Sequence, residues 1–136
     1  MKFKIGKAKD KMKKKKILIV DDEETLLIGL EVILSNAGYD VLKAGSGKEA
    51  LTTAKSQLPD LIMLDIRMPD MDGDKIADFL KNDEATRKIP IVYQTCLVDK
   101  DEVEDGHVLG SKIGNQYFIA KPYDKDEILC VVKQII

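Results

Sequence analysis

Residues 60–73 read DLIMLDIRMPDMDG, and they join a short apolar run to a carboxylate and a loop. Residues 61–64 form an uninterrupted apolar run of the length expected for a strand buried on both faces. Asp65 ends this run, and Pro69 and Gly73 mark the loop before a helical pattern begins. Asp65 is therefore predicted at the carboxyl end of a buried strand, the edge where open α/β sheets bind ligands. A carboxylate that merely caps the loop is the alternative at this point.

Apolar runs of this kind alternate with helical patterns along the whole chain. The predicted strands cover residues 17–20, 39–43, 61–64, 89–93 and 117–120. Ser46 with Glu49, and Asp124 with Glu127, have the spacing of N-terminal capping pairs before two of the helices. Strands that alternate with helices predict a parallel sheet covered on both faces, and hence a doubly wound α/β fold.

Length and composition limit the classes of function. A chain of 136 residues with 44% hydrophobic residues suits one domain with a sizeable core. No apolar run approaches the roughly 18 residues that a membrane span needs, and no apolar stretch of a signal peptide follows the lysine-rich N-terminus. The two cysteines form no disulfide framework, so a cytoplasmic location is expected. Cys130 lies in an apolar helical run, which predicts a buried thiol.

Charge divides the chain at residue 16. Residues 1–16 contain nine lysines and a single acid, Asp10. Without them the 22 basic and 24 acidic side chains of the chain fall to 13 and 23, so residues 17–136 carry a formal net charge of −10. Residues 1–16 are predicted to be a flexible basic tail, because such charge blocks are usually solvated. A basic-tailed nucleic-acid binder is an alternative function, but the acidic body argues against it.

Polar side chains follow four of the five predicted strands. Because the carboxyl ends of parallel strands share one edge of the sheet, Asp21, Asp22, Asp65, Thr95 and Lys121 should meet there. Close carboxylates repel one another, and Mg²⁺, which prefers oxygen ligands, offsets that repulsion. A carboxylate beside Mg²⁺ can attack phosphorus to give an aspartyl phosphate, with the lysine and the threonine as partners of the phosphoryl oxygens. A surface acid cluster paired with the lysine is the non-functional alternative.

This ordered set of motifs resembles the receiver domain of two-component response regulators. The motifs are Asp21-Asp22 after the first strand, Asp65 with Met68-Pro69 and Asp72-Gly73 after the third, Thr95 after the fourth, and Lys121-Pro122 after the fifth. The resemblance covers residues 17–136 as one receiver domain. It implies a flavodoxin-like fold with five parallel strands in the order 2-1-3-4-5.

The resemblance also implies roles for the residues of the site. Asp65 would accept a phosphoryl group from a sensor histidine kinase or a phosphotransfer protein, and Lys121 would pair with that group. Asp21, Asp22, Asp65 and the backbone carbonyl of Arg67 would hold Mg²⁺. The domain would then be a signalling phospho-acceptor rather than an enzyme, with a downstream protein as its target. Neither a specific nucleic-acid partner nor a membrane span is expected, and phosphorylation-dependent homodimerisation is an option.

Thr95 and Phe118 are the switch residues that the resemblance implies, moving toward the site on phosphorylation. Two features of the segment between Thr95 and Lys121 depart from the family pattern. The spacing from Thr95 to Lys121 is a few residues longer than usual, and residues 99–115 contain three glycines where an alanine-rich helix is expected. We therefore predict a short, shifted or frayed helix in this segment, with a long loop before the fifth strand.

Other functions compete with the signalling switch. A haloacid-dehalogenase-like phosphatase also uses Mg²⁺ and an aspartyl phosphate, but that class needs an Asp-x-Asp pair after its first strand. Here the first strand is followed by Asp21, Asp22, Glu23 and Glu24. The sequence ends with its last predicted helix, so either a stand-alone receiver or one excised from a larger transcription regulator or hybrid kinase is expected.

Overall fold

Strands and helices alternate along the chain, as the sequence pattern predicts. The computed structural model describes residues 14–95, 111–113, 116–121 and 123–136. The strands in these ranges are β1 (Lys16–Val20), β2 (Asp40–Ala44), β3 (Leu61–Asp65), β4 (Ile91–Thr95), β5 (Ser111–Ile113) and β6 (Gln116–Ala120). The helices in the same ranges are α1 (Glu24–Asn36), α2 (Gly47–Gln57), α3 (Gly73–Lys81) and α4 (Lys125–Ile135). None of these helices has both the length and the apolar character needed to cross a membrane.

The strands form one sheet in the order β2-β1-β3-β4-β6-β5. Neighbours from β2 to β6 pair in parallel, which confirms the predicted five parallel strands in the order 2-1-3-4-5, with β6 as the fifth. β5 is an additional edge strand, antiparallel to β6, with Ser111 opposite Phe118 and Ile113 opposite Gln116. The prediction placed a frayed helix and a long loop here, because the glycines of residues 99–115 disfavour a regular helix. The remainder of 99–115 lies outside the described residues.

The central strands β1 and β3 are covered on both faces. Residues 17–20 and 61–64 are fully buried, and their side chains alternate between the two faces of the sheet. Leu18 and Ile62 pack in the cluster that includes residues of α2 and α3, and Ile17 and Leu61 pack with residues of α1 and α4. Both faces need apolar side chains, which explains why these runs are continuous.

The bounds of all five predicted strands differ from the observed ones by one or two residues. β4 begins at Ile91 and ends at Thr95, two residues later than predicted, because Pro90 has no N–H to donate to the sheet. The Pro90 carbonyl still accepts a hydrogen bond from the N–H of Ile62 at 3.0 Å. β1 begins at Lys16, whose N–H donates to Asp60 at 2.8 Å. Residues 1–13 of the predicted tail lie outside the described part.

Of the two predicted capping boxes, the one at α4 is complete, whereas at α2 only the Ser46 cap forms, since the Glu49 carboxylate accepts the N–H of Gly45 instead. Ser46 accepts a hydrogen bond from the N–H of Glu49 at the start of α2, and Asp124 and Glu127 form a reciprocal capping box at α4. The prediction of a buried Cys130 is wrong, since its thiol is exposed. The buried stripe of α4 consists of Ile128, Val131 and Val132, and Cys130 lies outside it.

Candidate functional site

The site lies at the carboxyl edge of the parallel sheet, where β1 delivers Asp21. This side chain is fully buried, and both of its carboxylate oxygens are occupied. Oδ1 accepts the N–H of Glu23 at 3.0 Å, and Oδ2 accepts the ammonium of Lys121 at 2.7 Å. The backbone N–H of Asp21 donates to the carbonyl of Ala44 in β2 at 3.1 Å. Asp21 is thus held by the sheet, by the following turn and by the lysine.

Asp65 is the last residue of β3, and each of its two carboxylate oxygens accepts a hydrogen bond. Oδ2 lies 3.3 Å from the Lys121 ammonium, and Oδ1 accepts the N–H of Arg67 at 3.2 Å. The loop behind it is tight: the N–H of Gly73 donates to the carbonyl of Ile66 at 2.7 Å. A Cβ on Gly73 would lie 2.6 Å from the carbonyl oxygen of Asp65. Only glycine therefore lets α3 begin this close to the end of β3.

Lys121 follows β6 and joins the two carboxylates. Its side chain is 17% exposed and pairs with both Asp21 and Asp65. Burial alone would lower the pKa of the Lys121 ammonium, but the hydrogen bond and charge of Asp21 and the charge of Asp65 outweigh burial and raise it. The lysine is therefore a fixed cation between β1 and β3.

The electrostatics of the site leave a surplus of negative charge. Burial raises the pKa of Asp65, and the charge of Asp21 adds to that rise, against the opposing effects of Lys121 and of the Arg67 N–H. Asp22 is exposed beside them. In the described part of the chain, Lys121 is the only cation that pairs with this group of carboxylates. One ammonium therefore faces three acids.

The three carboxylates are suited to a hard divalent cation. Asp21, Asp22 and Asp65 can each offer one oxygen, and these atoms all lie within 4.8 Å of one another. An all-oxygen set with net negative charge is the donor chemistry that Mg²⁺ prefers. The predicted convergence of these residues on one sheet edge thus holds in three dimensions.

The other predicted site residues surround this group. Thr95 ends β4 opposite Ala120, and the role of its hydroxyl stays a prediction. Arg67 is exposed, and its carbonyl as a metal ligand also stays a prediction. Phe118 stacks on Tyr93, with ring centroids 5.4 Å apart and an interplanar angle of 29°. Its movement as a switch is a prediction too.

Sequence reasoning missed two polar groups close to the site. The hydroxyl of Tyr123 donates to Oε1 of Gln94, which is fully buried. Burial raises the pKa of Tyr123, and the negative charges of Asp21 and Asp65 add to the rise, which places this hydroxyl near the acid cluster. The sequence signal was a glutamine next to Thr95 in an otherwise apolar strand.

Asp70 is a third group whose role the sequence pattern does not reveal. Its carboxylate accepts the N–H groups of Gly47 at 2.9 Å and of Lys48 at 3.2 Å. These hydrogen bonds lower the pKa of Asp70. They join the loop after Asp65 to the start of α2, and with the Ser46 cap they satisfy the first three N–H groups of that helix.

Comparison with known proteins agrees with this geometry. A family model described as the response regulator receiver domain matches residues 17–133. The chain belongs to the response regulator receiver family. The resemblance inferred from the sequence motifs is thereby confirmed, and the strand order and the covering helices are those of the receiver fold.

Relatives of this receiver include two transcriptional regulatory proteins. The alkaline phosphatase synthesis regulator PhoP of Bacillus subtilis is 39% identical over 122 residues, which are 90% of this chain and 48% of PhoP. The phosphate regulon regulator PhoB of Pseudomonas aeruginosa is 37% identical over 122 residues, which are 90% of this chain and 52% of PhoB. The receiver therefore spans about half the length of these relatives.

Solved structures resemble it over nearly their whole length. The chemotaxis protein CheY4 of Vibrio cholerae superposes with a TM-score of 0.77 at 25% identity, covering 91% of this chain and all of CheY4. A response regulator from Chloroflexus aurantiacus gives a TM-score of 0.75 at 32% identity, covering 90% of this chain and 98% of that one.

Proposed function

We propose that this receiver accepts a phosphoryl group on Asp65 from the phosphohistidine of a sensor histidine kinase or a phosphotransfer protein. The observation that carries the proposal is the convergence of Asp65 with Asp21 and Asp22 around the partly buried ammonium of Lys121. A carboxylate that is fixed by two hydrogen bonds and lies beside a cation can act as a nucleophile on phosphorus. The domain then works as a stoichiometric switch toward a downstream protein.

In the transfer step, a carboxylate oxygen of Asp65 forms the new P–O bond. The P–N bond to the donor histidine breaks, and its electron pair returns to the imidazole nitrogen. Lys121 already lies 3.3 Å from Asp65 Oδ2, so its ammonium can pair with a phosphoryl oxygen as charge develops there. The N–H of Arg67 keeps the other carboxylate oxygen oriented during the attack.

Asp21, Asp22 and Asp65, with the backbone carbonyl of Arg67, are the groups that would hold Mg²⁺. When bound, the cation neutralises the surplus negative charge and so lowers the repulsion between the carboxylates and an incoming phosphoryl group. Asp22 is the exposed member of the three, and we assign it to direct metal binding. Asp21, whose oxygens are already occupied by Glu23 and Lys121, is assigned mainly to contact through metal-bound water.

Acetyl phosphate with Mg²⁺, followed by mass spectrometry of the intact and digested protein, tests this function. We expect one phosphoryl group on Asp65, none in Asp65→Asn, and loss of the Mg²⁺ dependence in Asp22→Ala. Asp72→Asn is the matched control, since Asp72 is exposed in the same loop and makes no side-chain cap hydrogen bond. Label that persists in Asp65→Asn at the wild-type level would overturn the assignment.

The haloacid-dehalogenase-like alternative makes a different prediction. A phosphatase releases many equivalents of phosphate from a phosphomonoester, whereas a phospho-acceptor stops at one and then loses its own phosphoryl group slowly. Incubation with p-nitrophenyl phosphate and Mg²⁺ separates the two, because sustained turnover would favour the phosphatase. The absence of an Asp-x-Asp pair at Asp21 supports the phospho-acceptor.

A further inference from the structure

Two polar side chains, those of Gln94 and Tyr123, form a hydrogen bond beside the acidic site. Gln94 in β4 is fully buried, and its side chain lies on the same sheet face as that of Val92, which belongs to the apolar cluster with α1 and α4. The hydroxyl of Tyr123 reaches it from the loop after β6 and donates to its Oε1. The Gln94 side chain thus lies on an otherwise apolar face of β4, whereas the Tyr123 hydroxyl that meets it also lies near Asp21 and Asp65.

Gln94 contacts the segments of both Asp65 and Lys121. Its backbone carbonyl accepts the N–H of Ile66, the residue after Asp65, at 3.2 Å, and its Cα is the sheet partner of Asp65. Its side chain holds Tyr123, which lies two residues after Lys121. One residue therefore links the strand end that carries the nucleophile to the loop that carries the cation.

The fold alone does not account for this pair. The amide nitrogen Nε2 of Gln94 is buried and has no hydrogen-bond partner among the atoms that the structure describes. A buried donor left without a partner disfavours folding, whereas apolar side chains of similar shape at both positions would avoid that cost. A feature that weakens the core while joining two parts of a site points to a role in the site.

We propose that Gln94 and Tyr123 are positioning residues, which fix the Lys121 ammonium relative to the carboxylate of Asp65. The hydrogen bond between them holds Tyr123, two residues after Lys121, against β4. Without it, the lysine would keep its charge but lose its fixed place between Asp21 and Asp65. This inference rests on the proposed function, in which Lys121 must meet the phosphoryl group as it arrives on Asp65.

The test compares the wild type with Tyr123→Phe, Gln94→Leu and the double variant. Tyr39→Phe is the matched control, since it makes the same substitution in a half-buried tyrosine at the start of β2. Three quantities are measured: urea stability, the rate of phosphorylation by acetyl phosphate, and hydrogen exchange of the Lys121 ammonium by ¹⁵N NMR without a phosphoryl donor. The last quantity is independent of phosphorylation.

We expect stability and phosphorylation to separate in the double variant. Its stability should equal or exceed that of the wild type, because both polar partners are replaced by apolar groups. Its phosphorylation rate should fall on the order of tenfold, because small misplacements of a charged group are costly in transfer reactions. Exchange of the Lys121 ammonium should become faster in all three variants and stay unchanged in Tyr39→Phe.

Two results would overturn the proposal. One is wild-type phosphorylation and wild-type ammonium exchange in the double variant. The other is a parallel loss of stability and phosphorylation, which would make the pair a structural contact only. If the wild type itself accepts no phosphoryl group, the proposed function fails, and the ammonium exchange still decides whether the pair positions Lys121. If Gln94→Leu does not fold, Tyr123→Phe alone carries the same comparison, because it removes one hydroxyl.

Discussion

Replacing Lys121 with methionine should destabilise the fold far more than breaking an ion pair on the surface. Methionine keeps most of the apolar stem but removes the charge, so Asp21 is left fully buried without its cation. Removing one partner of a buried ion pair typically costs about 3–5 kcal/mol. The unfolding equilibrium constant should therefore rise by roughly two to three and a half powers of ten.

The matched control is Lys43→Met. Lys43 pairs with Glu31 at 2.8 Å, almost the same distance as the 2.7 Å between Lys121 and Asp21. The two pairs differ in exposure: the side chains of Lys43 and Glu31 are 41% and 37% exposed, against 17% and 0% for Lys121 and Asp21. Exposed pairs contribute about 0–1 kcal/mol, so Lys43→Met should change the free energy of unfolding little.

Urea titrations of both variants and the wild type, at pH 7 in EDTA, measure the two free energies. Repeating them with saturating Mg²⁺ adds a second comparison, since the cation replaces part of the missing positive charge. Lys121→Met should recover part of its loss in Mg²⁺, and Lys43→Met should respond as the wild type does. Equal losses for the two variants in EDTA would refute the argument that Asp21 depends on Lys121 for its charge.

Two smaller changes test the loop after β3. Asp70→Asn should lower thermal stability above about pH 4, because the Gly47 and Lys48 N–H groups lower the pKa of Asp70. That contribution is lost as the pH falls through the lowered pKa, and melting curves that differ equally at pH 3 and pH 7 would contradict it. Gly73→Ala should destabilise the protein, since its Cβ would lie 2.6 Å from a β3 carbonyl oxygen. Gly29→Ala is the control, because its Cβ would meet open space, and it should raise the free energy of unfolding in urea by about 0.5–1 kcal/mol. A Gly73→Ala variant that is more stable than the wild type would contradict the close packing at Gly73.

The sequence was sufficient for the parallel sheet and for the residues at its edge. Residues 17–20 and 61–64 are continuous apolar runs because both of their faces are buried, and each is followed directly by aspartate. Alternation with helices then requires parallel strands, which bring Asp21 and Asp65 to the same edge. These inferences use only local patterns and a general rule of connection, so they need no knowledge of particular contacts.

The additional strand β5 has a local signal in the sequence. Gly114-Asn115 separates Ser111–Ile113 from Gln116–Ala120, and two residues of this type between short runs are a hairpin signal. The glycines of residues 99–115 also predict a frayed helix and a loop, so the sequence pattern by itself does not select the hairpin. A strand of three residues is too short to show an alternating pattern of its own. β5 is stabilised by its hydrogen bonds to the edge of β6, which the sequence does not record.

Only the tertiary structure decided which groups of the site touch. Lys121 lies closer to Asp21 than to Asp65, Asp70 caps a helix that begins 23 residues before it, and Gln94 receives the hydroxyl of a tyrosine 29 residues away. Periodicity records how deeply each residue is buried, but it does not record which distant residue will lie opposite. Those partners depend on the packing of assembled strands and helices, where differences below 1 Å separate a hydrogen bond from a mere neighbour.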